Sequence, residues 1–228
     1  MRNLIGVAFL GALAIVSLLG ANVLAAVFQP TGVSPGSTYH LLFTTDGVRD
    51  GTASEFSDYV GFVNDEASRS GLTRDVEWLP IVSLLGRDGS AELNAQDLVP
   101  VSGPIYTLGG QLFSDVGLFS QTPMATPNVD QFGHVLNVSW SVATGTDGNG
   151  VAQDPLPSTF ISVGTNFDLN DDGWIVDDDE PSSQLYHFYA VSHAIVAVPE
   201  PGFNIVQVAF LFSAVALAQR CRERKVIT

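Results

Sequence analysis

The chain reads as one α+β body held between two apolar ends, and three observations predict it. A single amphipathic helical segment near residue 54 is followed by many short β-rich runs separated by Gly- and Asp-rich loops. An apolar run occupies each terminus, 4–19 and 202–218. The one cysteine, Cys221, sits in the last ten residues, so the body forms no internal disulfide and must rest on its core.

The elements follow in order. Residues 27–37 are a lead-in rich in Pro, Gly and Ser, and the run Tyr39-His40-Leu41-Leu42-Phe43-Thr44-Thr45 reads as a strand closed by Asp46-Gly47. Thr52-Ala53-Ser54-Glu55 has the spacing of a capping box. Phe56, Tyr59, Val60, Val63 and Ala67 follow at helical spacing, predicting a helix over 54–69 that Gly71 terminates. Residues 78–83 read as a strand whose Pro80 marks an edge or bulge. Residues 104–108 and 111–113 flank Gly109-Gly110 as a hairpin. The alternation over 135–143 predicts a strand, 159–163 another, and 184–191 with 195–198 the closing strand or strands.

Arg2, the apolar residues 4–19 and the small residues around Val23-Leu24-Ala25 have the pattern of a secretory signal peptide cut after Ala25 or Ala26. An uncleaved anchor is the other reading. At the far end stand Val198-Pro199-Glu200-Pro201, an apolar stretch and then Arg220, Arg222, Arg224 and Lys225. About 17 residues is near the minimum for a bilayer span, and the segment 202–219 is predicted to be a transmembrane helix. Its basic flank belongs on the cytoplasmic side, which puts the body outside the inner membrane. The expected division is signal peptide 1–26, exported α+β domain 27–197 and tail 198–228.

The chain has 9 basic and 24 acidic side chains, a net −15. Setting aside Arg2, the four basic tail residues, Glu200 and Glu223 leaves four arginines against 22 acids, so the body carries −18 and no lysine. Such a surface repels nucleic acid and anionic lipid, both of which are bound through clustered Lys and Arg.

The Val-Pro-Glu-Pro segment, short apolar span and Arg-rich end, in that order at the terminus, resemble the PEP-CTERM sorting signal of exopolysaccharide-producing Gram-negative bacteria. The resemblance covers about the last thirty residues. It implies processing by an exosortase near Pro199-Glu200-Pro201 and delivery to the cell surface or extracellular matrix. Pro199 and Pro201 forbid helix and hold the segment extended, as a protease needs. Asn204 and Gln207 make the span more polar than a stable anchor, which suits a transient one.

The body has a second resemblance. A strand with Leu41-Leu42-Phe43, a helix ending near Gly71, then Trp78, the run 101–112 and the aromatic strand 185–190 look like a C-type-lectin-like or endostatin-like domain. The Thr45–Gly51 opening, Thr-Asp-Gly-Val-Arg-Asp-Gly, is similar to PEP-CTERM-anchored relatives of that fold. The fold's usual disulfides and its calcium-dependent sugar motifs are absent here, so sugar binding is not carried over. The expected fold is thus a single C-type-lectin-like α+β body with one main helix and a mainly antiparallel sheet, flanked by a signal helix and a transmembrane helix.

The sharpest chemical motif is Asp168-Leu169-Asn170-Asp171-Asp172-Gly173, with Asp179 at the twelfth position, which fits a calcium loop. Ca²⁺ takes six to eight oxygens at about 2.3–2.6 Å. Asp168, Asn170, Asp172 and Asp179 would supply side-chain oxygens, Trp174 a backbone carbonyl, and Ile175 would pack inward. The competing reading is an acidic surface hairpin with Trp174 and Ile175 in the core. Asp147, in the turn 145–150, is a further oxygen donor or a plain turn residue. His40, His134, His187 and His193 lack zinc-ligand spacing and read as structural or solvated. Trp78, Trp140, Trp174, Tyr106 and Tyr186 read as core, with a carbohydrate-stacking platform as the alternative. No nucleophile elbow, P-loop or dinucleotide fingerprint occurs.

These features point to an exported, non-catalytic binding or structural protein of the cell surface or matrix, with calcium as a candidate cofactor. Exosortase, signal peptidase, the inner membrane and extracellular polysaccharide are its expected partners. An extracellular hydrolase of polysaccharide or peptide, and a permanently anchored inner-membrane protein with a periplasmic domain, are the alternatives.

Overall fold

Strand β1, Thr38–Thr44, is the axis of the molecule. Its residues alternate across the sheet as the period of two requires. Tyr39, Leu41 and Phe43 enter one apolar cluster, and Leu42 enters the other. The computed structural model describes residues 28–87, 90–168 and 172–199. The signal segment 1–26, the span 202–219, Asn170 and the tail residues Glu200, Pro201, Arg220, Arg222, Arg224 and Lys225 lie outside the described residues. Among the described residues no helix is long and apolar enough to cross a membrane.

The remaining elements are β2 (Arg49–Asp50), α1 (Phe56–Ser68), β3 (Trp78–Pro80), α2 (Ala95–Leu98), β4 (Ile105–Thr107), β5 (Leu112–Ser114), β6 (Ser141–Ala143), β7 (Phe160–Thr165), β8 (Asp178–Pro181), β9 (Leu185–Tyr186), β10 (Tyr189–Ser192) and β11 (Ile195–Val196). The main sheet runs β3-β10-β1-β4-β5, with β11 paired to the start of β1. β1 and β4 are parallel, and the other strand pairs are antiparallel. A three-stranded sheet β6-β7-β8 and a ribbon β2-β9 complete the fold. The class is α+β with few helices and mainly antiparallel sheets, as the sequence predicts.

One face of the main sheet is covered by α1. Tyr59, Val63 and Ala67 of the helix meet Phe43, Trp78 and Phe188, with the Phe43 and Trp78 rings edge-on at 4.6 Å. The other face packs Leu42, Ile105, Tyr189 and Val191 against Trp174 and Ile175, which arrive from the β7–β8 connection. Each of these fully buried large side chains contributes about 1.5–3 kcal/mol. Among the described residues no buried side-chain nitrogen or oxygen lacks a partner.

Three local expectations change. The capping box does not form: Glu55 is the N-cap without a side-chain cap bond. The Thr52 hydroxyl instead donates to Asp50 Oδ1 at 2.6 Å, and Ser54 Oγ accepts from Arg87 at 2.9 Å. Glu55 is ion-paired with the same arginine. Tertiary partners thus outcompete the local cap. The helix stops at Ser68, with Arg69 as C-cap, before Gly71 is reached. Of the strand predicted over 135–143, Ser141–Ala143 forms a strand, where β7 supplies a partner, and Val135 makes a single bridge to Val129. Val135 and Val138 are exposed. Pro80 does lie on an edge strand, and the 104–113 hairpin forms as β4–β5.

Candidate functional site

The Thr45–Gly51 opening is a structural junction. Its Asp46 and Gly47 N–H groups reach the helix and a distant loop: Gly47 N–H donates to Glu66 Oε2 at 2.9 Å, and Asp46 N–H to Gln131 Oε1 at 2.9 Å. Glu66 Oε2 also accepts from Arg69 Nη1 at 2.6 Å and Gln131 Nε2 at 2.9 Å. This nearly buried carboxylate therefore ties the opening to α1 and to the loop around Asp130. A Cβ on Gly47 would sit 2.5 Å from the Glu66 carboxyl and push it away from these donors. A Cβ on Gly51 would stand 2.7 Å from Ile161 Cδ1. The Thr52 hydroxyl holds the Asp50 carboxyl below the usual carboxylate range, the wrong direction for a general acid.

Asp168, Asp172, Trp174 and Asp179 fall in or beside the β7–β8 connection. Gly173 lets the Asp168 carboxylate approach closely, with Oδ2 2.6 Å from where a Cβ would be. Asp172 leans the other way, against Gly148 of the 145–150 turn. That turn is closed by Asp147, whose Oδ1 accepts from the N–H groups of Asn149 and Val151 at 2.9 and 2.8 Å. Asp179 stands in β8, where its Oδ1 accepts from Ser162 Oγ at 3.2 Å. The Trp174 carbonyl points into the core and accepts from the Tyr189 hydroxyl at 2.8 Å. Trp174 and Ile175 are both buried. Asp179 and the Trp174 carbonyl are committed elsewhere, so neither faces Asp168 and Asp172 as a calcium loop would require. Among the described residues no three His, Cys, Asp or Glu side chains come together to hold a metal.

The aromatic residues share no surface. Trp78, Trp174 and Tyr186 are buried, and Tyr106 is half-buried edge-on to Tyr39. Trp140 is half-buried and lies flat on His187, with centroids 3.9 Å apart and planes at 10°. Nδ1–H of His187 donates to the Thr45 carbonyl at 2.7 Å, and burial pushes the imidazole below its ordinary pKa. His40 donates from Nδ1 to the Ser192 carbonyl at 2.9 Å. His134 meets Asp130 at 3.2 Å, and His193 lies 4.0 Å from Glu77.

Hollows open on the surface of the described residues. A polar one of about 200 Å³ lies between Phe119, Gln121, Asn149 and Asp172. Two more flank α1: about 600 Å³ beside Arg49, Asp58, Phe62 and Asp65, and about 420 Å³ beside Asn64, Glu77 and His193. Gly61 lines both. The sequence reading passed over this helix face. Its signal was present as an uncompensated glycine in the middle of a helical pattern.

No protein-family model matches this chain, and no curated protein matches its sequence. What the geometry itself defines is an acidic α+β domain whose described residues contain no cysteine.

Proposed function

We propose that this is an exported surface or matrix protein, with a removable signal peptide at 1–26, a non-catalytic body at 27–197 and a sorting tail at 198–228 that an exosortase processes. The observation that carries the reading is the fixed order of Pro199-Glu200-Pro201, apolar span and basic end in the sequence. The surroundings of the tail support it. The chain emerges from β11 beside its own starting segment, with Gly36 N–H donating to the Ala197 carbonyl at 2.8 Å and Val198 N–H to Gln29 Oε1 at 3.1 Å. Val198 and Pro199 are exposed there, outside any strand, where a processing enzyme can reach them.

The body is read as C-type-lectin-like, supported by the order of first strand, long helix and aromatic closing strand set against the first. Its role is binding or structural, with extracellular polysaccharide as the polymer it meets after sorting and calcium at the Asp168–Asp172 loop as a steadying ion. Its charge of −18 disfavours nucleic acid.

Intact-mass spectrometry of protein recovered from the outer surface tests the sorting reading. The expected species begins at Ala26 or Val27 and lacks the residues beyond the Pro-Glu-Pro segment. Surface-located protein still ending at Thr228 overturns processing. Retention of the whole tail in the inner membrane means a permanent anchor.

A further inference from the structure

Helix α1 contains a glycine that the fold does not use. Gly61 is exposed in the middle of Phe56–Ser68, and a Cβ there would meet nothing within 4 Å. Glycine is a poor helix residue, so a position with room for alanine that holds glycine answers to something other than packing. Gly61 is also the shared floor of the two hollows that flank the helix, making a saddle across its outer face.

Asp58, Gly61, Phe62 and Asp65 are spaced i, i+3, i+4 and i+7 and so form one stripe. The two acids are two turns apart, about 10 Å at 1.5 Å per residue. Among the described residues neither carboxylate has a hydrogen-bond or ion-pair partner, while the backbone carbonyls of these residues accept bonds from Arg49 and Ser68. Arg49 forms the wall, its guanidinium 4.5 Å above the Tyr59 ring and 5.8 Å from Phe62. Its single positive charge faces Asp50, Asp58 and Asp65, so the groove remains net negative. A second copy of the body is a poor occupant, because Arg69, Arg74 and Arg87 are already ion-paired and both surfaces are strongly acidic.

We propose that this groove takes a basic peptide segment of another protein in polyproline II conformation, with two Lys or Arg side chains three residues apart reaching Asp58 and Asp65. In that conformation side chains three residues apart share one face and stand about 9 Å apart, close to the separation of the two acids. The segment's backbone crosses Gly61, where the missing side chain permits close approach. Phe62 receives the aliphatic stem or the cationic head of one basic residue. This deepens the binding role proposed above and depends on that role, but not on how or whether the tail is processed.

The test uses the full chain in detergent and a fluorescein-labelled peptide carrying Lys-x-x-Lys in a background of Gly, Ala and Thr, read by fluorescence anisotropy. The chain's own basic tail is present in every sample, so differences between samples report the groove. Binding should weaken at least about tenfold between about 20 and about 200 mM salt. It should weaken several-fold when the lysines are made adjacent. Asp58→Asn with Asp65→Asn should abolish it. Gly61→Gln should melt higher than the parent and yet bind at least tenfold more weakly, which separates the groove from folding. Equal affinity for both lysine spacings, parental affinity in Gly61→Gln, or no binding at about 1 mM peptide overturns the proposal. So does an amine-bearing glucosamine oligomer that binds the groove while the peptide does not. None of these outcomes alters the mass of the mature protein, so the sorting reading stands or falls separately.

Discussion

Gly47 and Gly61 differ in what one added methyl group would meet. At Gly47 it would strike the Glu66 carboxyl at 2.5 Å and displace an acceptor that serves Gly47, Arg69 and Gln131. Gly47→Ala should therefore destabilise by about 1–3 kcal/mol, the range for buried polar groups that lose their partners. At Gly61 the methyl would meet open space, so Gly61→Ala should stabilise by about 0.5–1 kcal/mol. Thermal melts of the two variants should move in opposite directions. His187 sets a pH dependence. Burial lowers its folded pKa below the unfolded value of 6.5, so the unfolded chain binds the extra proton first. The stability from neutral His187 is complete above pH 6.5 and declines as pH falls from there through the folded pKa. The proton NMR titration of His187 should have its midpoint below 6.5. His187→Gln should flatten the stability–pH curve in that window. A midpoint at or above 6.5 contradicts the assigned cause.

At the scale of elements, α1 and β3 are joined by one side chain. Asn64 Nδ2 donates to the Trp78 carbonyl at 2.8 Å, and Asn64 Oδ1 accepts from Trp78 N–H at 3.0 Å. The amide thus satisfies both backbone groups of a residue on an edge strand, a protection such edges need. Asn64→Ala should cost about 1–3 kcal/mol, with Asn64→Asp intermediate because one donor is lost, as urea unfolding will report. The β7–β8 connection carries the calcium proposal. With Asp179 turned to Ser162 and no carboxylate among the described residues closing the loop, a weak dissociation constant of about 10⁻⁴–10⁻³ M is expected. About 5 mM Ca²⁺ should then stabilise the protein by about 1–2 kcal/mol, and Asp168→Ala with Asp172→Ala should remove the gain. An unchanged parental melting temperature retires calcium here. The helix and this acidic motif were legible because each has a period or a spacing. The missing capping box was not, because Arg87, 33 residues from Ser54, decides where that hydroxyl is used.

Across the whole molecule, the first and last strands lie together, so the described residues before β1 and after β11 leave the body side by side. The order and composition of the chain by themselves determined several properties of this protein: an α+β class, a core without disulfides, an acidic surface, and terminal patterns that read as export and sorting. These are legible because they depend on hydrophobic periodicity, charge and local order along the chain. Only the tertiary structure decided what the acidic residues face. Asp179 turns to Ser162 in a neighbouring strand, and the Trp174 carbonyl turns to Tyr189 in the core. The Asp58 and Asp65 carboxylates, on either side of Gly61, have no hydrogen-bond or ion-pair partner among the described residues. A carboxylate's role depends on the partner within about 3 Å, and that partner comes from sheet pairing between segments distant in sequence.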